Sequence, residues 1–172
     1  MRSICPLLLA AFTLTASCAF PVTETARGAS PTYSSTDAFG AAESRIFDLI
    51  NAQRRGAGLA PLVYNAQLDQ MAKIQSLQMA QFQKMAHVLP EAELPTLTDR
   101  AQRAGYPYGR IAENVALGYP TAESVVDGWM ASKGHRANIL NRDVLETGIG
   151  IARSKAGGLY YCQVFGRQSR SL

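Results

Sequence analysis

Trp129-Met130-Ala131-Ser132-Lys133-Gly134-His135-Arg136-Ala137-Asn138-Ile139-Leu140 is the stretch from which the fold is read. The residues before it place Val125, Val126, Trp129 and Met130 on one side of a helix that Thr121 can cap. One of the chain's two histidines then follows directly after a glycine. A glycine there frees the backbone to turn, so the helix is expected to break at Gly134, turn His135 into a cleft, and resume over 135–140. Two other stretches complement this one. Ala112-Glu113-Asn114-Val115-Ala116 sets an acid inside an apolar, strand-like run, and Met85-Ala86-His87 ends a long helical pattern with the second histidine.

Outward from there, the elements follow from periodicity and punctuation. Ile46, Phe47, Leu49 and Ile50 make one face of a helix starting near residue 41, with Arg54 and Arg55 suited to its C-terminal dipole, Gly56 as its cap and Pro61 beyond. Asn65 can cap a second helix, running to about residue 86 on a face of Leu68, Met71, Ala72, Met79 and Phe82. His87 would then sit at the negative end of that helix, which favours its protonated form. A short helix fits 98–104, stopped by Gly105 and Pro107. A strand over 110–118 carries Glu113, and 147–153 with 159–166 form a hairpin through Lys155-Ala156-Gly157-Gly158. Helices first and strands mostly last predict an α+β fold, a small antiparallel sheet covered by helices.

The N-terminus has a different character. Arg2, an apolar run over 4–14 and the small residues Thr15-Ala16-Ser17-Cys18-Ala19 form the three-part pattern of a secretory signal, with an apolar stretch too short for a permanent membrane span. Residues 1–19 are therefore read as a signal peptide and the protein as exported from a bacterial cytoplasm. Two processing routes fit. Leu14-Thr15-Ala16-Ser17-Cys18 loosely resembles a lipoprotein signal, which would acylate Cys18 and anchor the chain, although Thr15 stands where an aliphatic residue is expected. Ordinary cleavage after Ala19 would instead release a periplasmic or secreted protein. Residues 20–40, rich in Thr, Ser, Ala, Gly and Pro, read as a disordered tether, 41–168 as the folded domain and 169–172 as a tail.

Of the three cysteines, Cys5 and Cys18 fall in or beside the signal, leaving Cys162 alone in the domain and no disulfide to form there. It is read as a small buried apolar residue in mid-strand. The net charge of +4 is modest, but it is uneven. Lys133, Arg136, Arg142, Arg153, Lys155, Arg167 and Arg170 outweigh Asp143 and Glu146 in the last part of the chain. An anionic membrane or wall polymer and plain surface charge both account for that. No nucleic-acid motif is present, and no transmembrane stretch follows the signal.

His87, Glu113 and His135 are the residues that could carry chemistry. Two imidazoles and a carboxylate are donors of the kind that hold zinc, although no local motif sets two of them on one helix face. Equally, His87 could cap a helix, Glu113 bond to backbone amides and His135 sit in a polar turn. Ser132 lies close to His135 in sequence without the glycine-flanked elbow of a nucleophilic serine, and serves as well as a helix-end residue. Trp129 reads as a core anchor with a satisfied indole N–H, and Asn114 as a tie from strand to loop.

In this order, Leu49-Ile50-Asn51 with Arg54, Gly58-Leu59-Ala60-Pro61-Leu62, His87, Glu113-Asn114-Val115-Ala116, residues 129–140, Gly148-Ile149-Gly150 and Tyr161-Cys162-Gln163-Val164-Phe165-Gly166 resemble the CAP superfamily, or SCP domain, in its bacterial form. The resemblance spans about residues 42–167. It implies a three-layer α-β-α sandwich with a small, mainly antiparallel sheet, and a cleft of two histidines and two acids that sometimes binds a divalent metal such as zinc. His87, Glu113 and His135 match that set, whereas Ser132 stands where the second acid would be. The family has been tied to lipid or sterol binding, wall association and isolated cases of proteolysis. The expectation is an exported, monomeric binding module for a lipid, sterol-like or cell-envelope ligand. The alternatives are a metal-dependent hydrolase working through the same cleft and a protein-interaction domain whose cleft is vestigial.

Overall fold

In a computed structural model, residues 39–169 are described. The signal peptide with Cys18, the tether up to residue 38 and the last three residues of the tail lie outside that range; residue 40, assigned to the tether, opens the first helix. The elements in order are α1 (Gly40–Gly56), β1 (Val63–Tyr64), α2 (Ala66–Phe82), α3 (Leu97–Ala104), β2 (Tyr108–Leu117), α4 (Ala122–Ala131), α5 (Lys133–Ile139), β3 (Glu146–Arg153) and β4 (Leu159–Gln168).

The strands form one sheet in the order β1-β3-β4-β2, antiparallel at β3/β4 and β4/β2 and parallel at β1/β3. The two-residue β1 carries no strand signal of its own. It follows the Pro61 turn and pairs with Glu146 and Thr147 before Asn65 caps α2 through Gln67 N and Leu68 N. Helices cover both faces. Ile46, Ile50, Val125, Trp129 and Ile139 of α1, α4 and α5 pack on Ile149, Tyr161 and Phe165. Leu68, Met71, Met79 and Ala101 of α2 and α3 pack on Val115, Cys162 and Val164. Each layer buries the apolar face its periodicity prescribes, except that Phe82 at the end of α2 is exposed, giving the α-β-α sandwich.

Helix α2 presses closest. A Cβ on Gly148 would stand 2.0 Å from the Asp69 nitrogen, and one on Gly150 2.4 Å from the Lys73 nitrogen, so only glycine lets the helix lie on β3 here. Trp129 anchors the opposite layer as expected, its Nε1 donating to the Val115 carbonyl at 3.3 Å.

Three local expectations change. Helix α2 ends at Phe82, four residues early, because Gln83 takes the left-handed conformation (φ 51°). The break before His135 falls at Ser132, whose extended backbone (ψ 122°) ends α4 and opens α5, so Gly134 lies inside a helix. Arg54, assigned to a helix dipole, is instead buried and donates to the Ala60, Ile139 and Asn141 carbonyls, fastening α1 to the end of α5. Thr96 and Thr121 cap α3 and α4 through reciprocal bonds with Asp99 and Ser124.

Candidate functional site

Strand β2 is one outer edge of the sheet, and the candidate site straddles it. Alternation along β2 turns Ile111, Glu113 and Val115 toward the α2/α3 layer and Ala112, Asn114 and Ala116 toward the layer of α1, α4 and α5. Glu113 therefore faces α3 and the loop after α2, while its neighbour Asn114 reaches α5.

His87 Nδ1 lies 2.9 Å from Glu113 Oε1. The carboxylate can only accept, so Nδ1–H donates and Nε2 is left for solvent or a ligand. The imidazole is half exposed, whereas the carboxylate is almost wholly enclosed. This hydrogen bond first, and the carboxylate's charge with it, hold the His87 pKa above its ordinary value against partial burial. The helix end assigned that role in the sequence reading plays no part, since His87 sits five residues beyond α2. The loop is held instead by buried Gln75, whose Nε2 donates to the Ala86 carbonyl at 2.6 Å, and by Gln78, which bonds both the N–H and the carbonyl of Leu94.

The second carboxylate oxygen meets residues the sequence reading passed over. Arg100 of α3, fully buried, donates from Nη2 to Glu113 Oε2 at 2.6 Å. The Cys162 thiol on β4 approaches the same oxygen at 3.4 Å. Burial chiefly, then the neighbouring carboxylate, pushes the Cys162 pKa well up, so it packs as a neutral thiol. Arg100 Nε is enclosed without a partner among the described residues, a cost the short ion pair must offset. Leu97 and Ala101, apolar neighbours at helical spacing, are the one signal that puts Arg100 on the inner side of α3.

His135 comes from the opposite layer. Its carbonyl accepts from Asn114 Nδ2 at 3.2 Å, and Asn138, one helical turn on, donates to the Glu113 carbonyl and to Asn114 Oδ1. These bonds fasten α5 across the strand edge. Desolvation lowers the His135 pKa, with a smaller contribution from the charge of His87. Among the described residues no hydrogen bond joins His135 to His87 or Glu113. Ser132 is partly buried between α4 and α5, and its hydroxyl makes no bond to His135 among the described residues.

The three-ligand metal set does not assemble. Among the described residues no three His, Cys, Asp or Glu side chains are grouped so as to hold an ion. The donor chemistry gives the reason. Glu113 has one oxygen on an imidazole N–H and the other on a guanidinium, so the positive charge beside it is already Arg100, and a dication there would face that charge.

Comparison with known proteins agrees with this architecture. Residues 47–165 match the family described as CAP, the cysteine-rich secretory protein family. The "Uncharacterized protein YkwD" of Bacillus subtilis is 34% identical over 143 residues, covering 83% of this chain and 54% of the relative. Among solved structures, an extracellular protein containing an SCP domain from Bacillus anthracis superposes with a TM-score of 0.68 at 30% identity, over 74% of this chain and 41% of the other. An outer surface protein of Borrelia burgdorferi superposes with a TM-score of 0.70 at 18% identity, over 76% and 96%, a likeness of fold. The chain thus spans about half the length of YkwD. A family match running from residue 47 to 165, on a sheet gripped between two helical layers and beside a relative 34% identical over 83% of this chain, shows that the chain belongs to the cysteine-rich secretory protein (CAP) family.

Proposed function

We propose that this chain is an exported binding module whose cleft across the β2 edge docks an amphiphilic component of the cell envelope. The observation that carries the reading is the setting of His87. Its ring offers Nε2 outward from a fixed bond to Glu113, and Phe82, Met85 and Val88 around it in sequence are all exposed large apolar side chains. A polar docking point inside an apolar rim suits a ligand with a polar head and a greasy body. The signal-like N-terminus agrees with export, as does the extracellular Bacillus anthracis protein to which the chain is similar. Among the described residues no helix is long and apolar enough to cross a membrane. In this reading the domain acts as a monomer, anchored at Cys18 or released.

The test is flotation of the purified protein with vesicles of varied phospholipid and sterol content, beside pull-down on wall fragments. Capture by at least one surface, lost in Met85→Ser and weakened in His87→Ala, is expected. No capture across the panel overturns the reading.

One observation favours a hydrolase instead. The enclosed Glu113 carboxylate fixes His87 through Nδ1 and leaves Nε2 outward, the way a carboxylate orients an imidazole for proton transfer. Turnover of an ester or peptide library that disappears in His135→Ala would establish that class.

A further inference from the structure

The edge of the sheet opposite His87 holds a cleft of about 510 Å³, a volume in the range of ligand sites. It lies where β3 outruns its partner. Val63 N and Asn65 N donate to the carbonyls of Leu145 and Thr147, so the odd-numbered residues of β3 direct their backbone groups outward at this edge. Strand β1 stops at Tyr64, opposite Thr147. Two residues beyond Ile149, the Ile151 N–H is bonded by a side chain, Glu43 Oε1 of α1, at 3.1 Å. Between these two points Ile149 lines the cleft, and among the described residues no strand lies alongside it on this edge.

The walls are acidic and aromatic. Glu43, Asp48 and Asp69 line the cleft against one cation, Lys73, together with the rings of Phe47 and Tyr64. Lys73 Nζ is already shared, 2.9 Å from Asp69 and 3.7 Å from Glu43, and Asp48 has no cationic partner among the described residues. Burial, the largest influence on Glu43, raises its pKa, as expected of a carboxylate drawn out of water with too little compensating charge. Carboxylates beside aromatic faces recognise ammonium and guanidinium groups, and an unpaired strand edge recognises extended backbone.

We infer that the cleft beside Ile149 is a docking groove for an extended, lysine- or arginine-bearing segment of a partner polypeptide, its backbone pairing with β3 and its cation held by Asp48, Asp69 and Glu43. The groove is separate from the His87 cleft, so the two readings stand or fall apart.

The test is a titration of the full chain with acetyl-Val-Lys-Val-amide, followed by ¹H–¹⁵N NMR. Saturable shifts centred on the Ile149 and Ile151 amides are expected. Replacing the lysine by norleucine weakens binding about tenfold, the usual value of a charge-assisted contact, and N-methylation of the peptide backbone removes it. Asp48→Asn, at an exposed position, weakens binding a fewfold while the rest of the spectrum stays in place, and His87→Ala leaves binding unchanged. Absence of shifts at Ile149, equal binding of the norleucine peptide, or equal shifts with butylammonium alone would each overturn the proposal.

Discussion

At the outer edge of β2 the protein buries charge, enclosing the Glu113 carboxylate between Arg100, His87 and Cys162 and fastening α5 over the strand with Asn114 and Asn138. At the outer edge of β3 it does the reverse, leaving acids around an open groove and covering one amide with the Glu43 side chain. An unpaired strand edge has to be paired, covered or charged, and this sheet covers one side and charges the other. The difference teaches where rigidity resides. The β2 edge is held by buried bonds that share one carboxylate, whereas the charges of the β3 edge grade from exposed Asp48 to largely enclosed Glu43 and Asp69, which share Lys73.

The sharpest way to break the comparison is to remove the guanidinium. Arg100→Met leaves Glu113 enclosed with no cation behind it, and urea unfolding should report a loss of about 3–5 kcal/mol, the cost of orphaning a buried charge. Arg100→Met with Glu113→Leu should recover much of that loss, because the unpaired charge is gone. Glu43→Gln keeps an oxygen for the Ile151 N–H and should cost well under half as much. Similar losses at the two edges would end the contrast. The next effect belongs to the β3 side. Gly148→Ala drives a methyl into the backbone of Asp69 and should cost about 1–3 kcal/mol or more by overpacking, read as a fall in the urea midpoint.

The layers and most element ends were legible because periodicity, caps and turn residues agree with one another. Thr121, Asn65, Gly105 and the apolar face of α1 are local signals, and the structure follows them. What escaped depends on contacts far along the chain. Arg54 and Arg100 look like surface charges in sequence, yet tertiary carbonyls and one distant carboxylate draw both inside. Strand β1 is too short to carry a pattern and exists by pairing with residues more than eighty positions away. Of the cleft, His87 and Glu113 were named and do meet. Among the described residues His135 bonds to neither, and Glu113's second oxygen is taken by Arg100, whose inward side the spacing of Leu97 and Ala101 marks but whose partner it does not name.

Gly134 separates a local rule from its tertiary outcome, with a smaller effect. Read as a helix breaker, it should resist substitution; in the structure it is helical with open space where a Cβ would go. Gly134→Ala should therefore stabilise the protein by about 0.5–1 kcal/mol, through a less flexible unfolded chain and better helix propensity. A raised melting temperature by calorimetry supports the helical placement, and a lowered one restores the glycine break.

The smallest effect is the most specific to the β2 edge, because it comes from two imidazoles shifted in opposite senses from an ordinary value of 6.5. The His87 pKa is raised in the folded state, so its contribution is complete below about pH 6.5 and is lost as the pH climbs through the folded value. The His135 pKa is lowered, so its contribution is complete above about pH 6.5 and is lost as the pH falls through the folded value. In the native protein the two slopes lie on opposite sides of about pH 6.5 and together give a stability maximum near it. His87→Ala should abolish the fall just above 6.5 and leave the rise below it, and His135→Ala should abolish the rise just below 6.5 and leave the fall above it. Imidazole NMR titration checks the assignment directly, since Glu113→Gln removes the carboxylate that lifts His87 and should bring its midpoint down toward that of His135. If both rings titrate together at the ordinary value, the bond from Nδ1 to Glu113 does not set the protonation of His87, and the β2 edge is no more electrostatically organised than the β3 edge opposite.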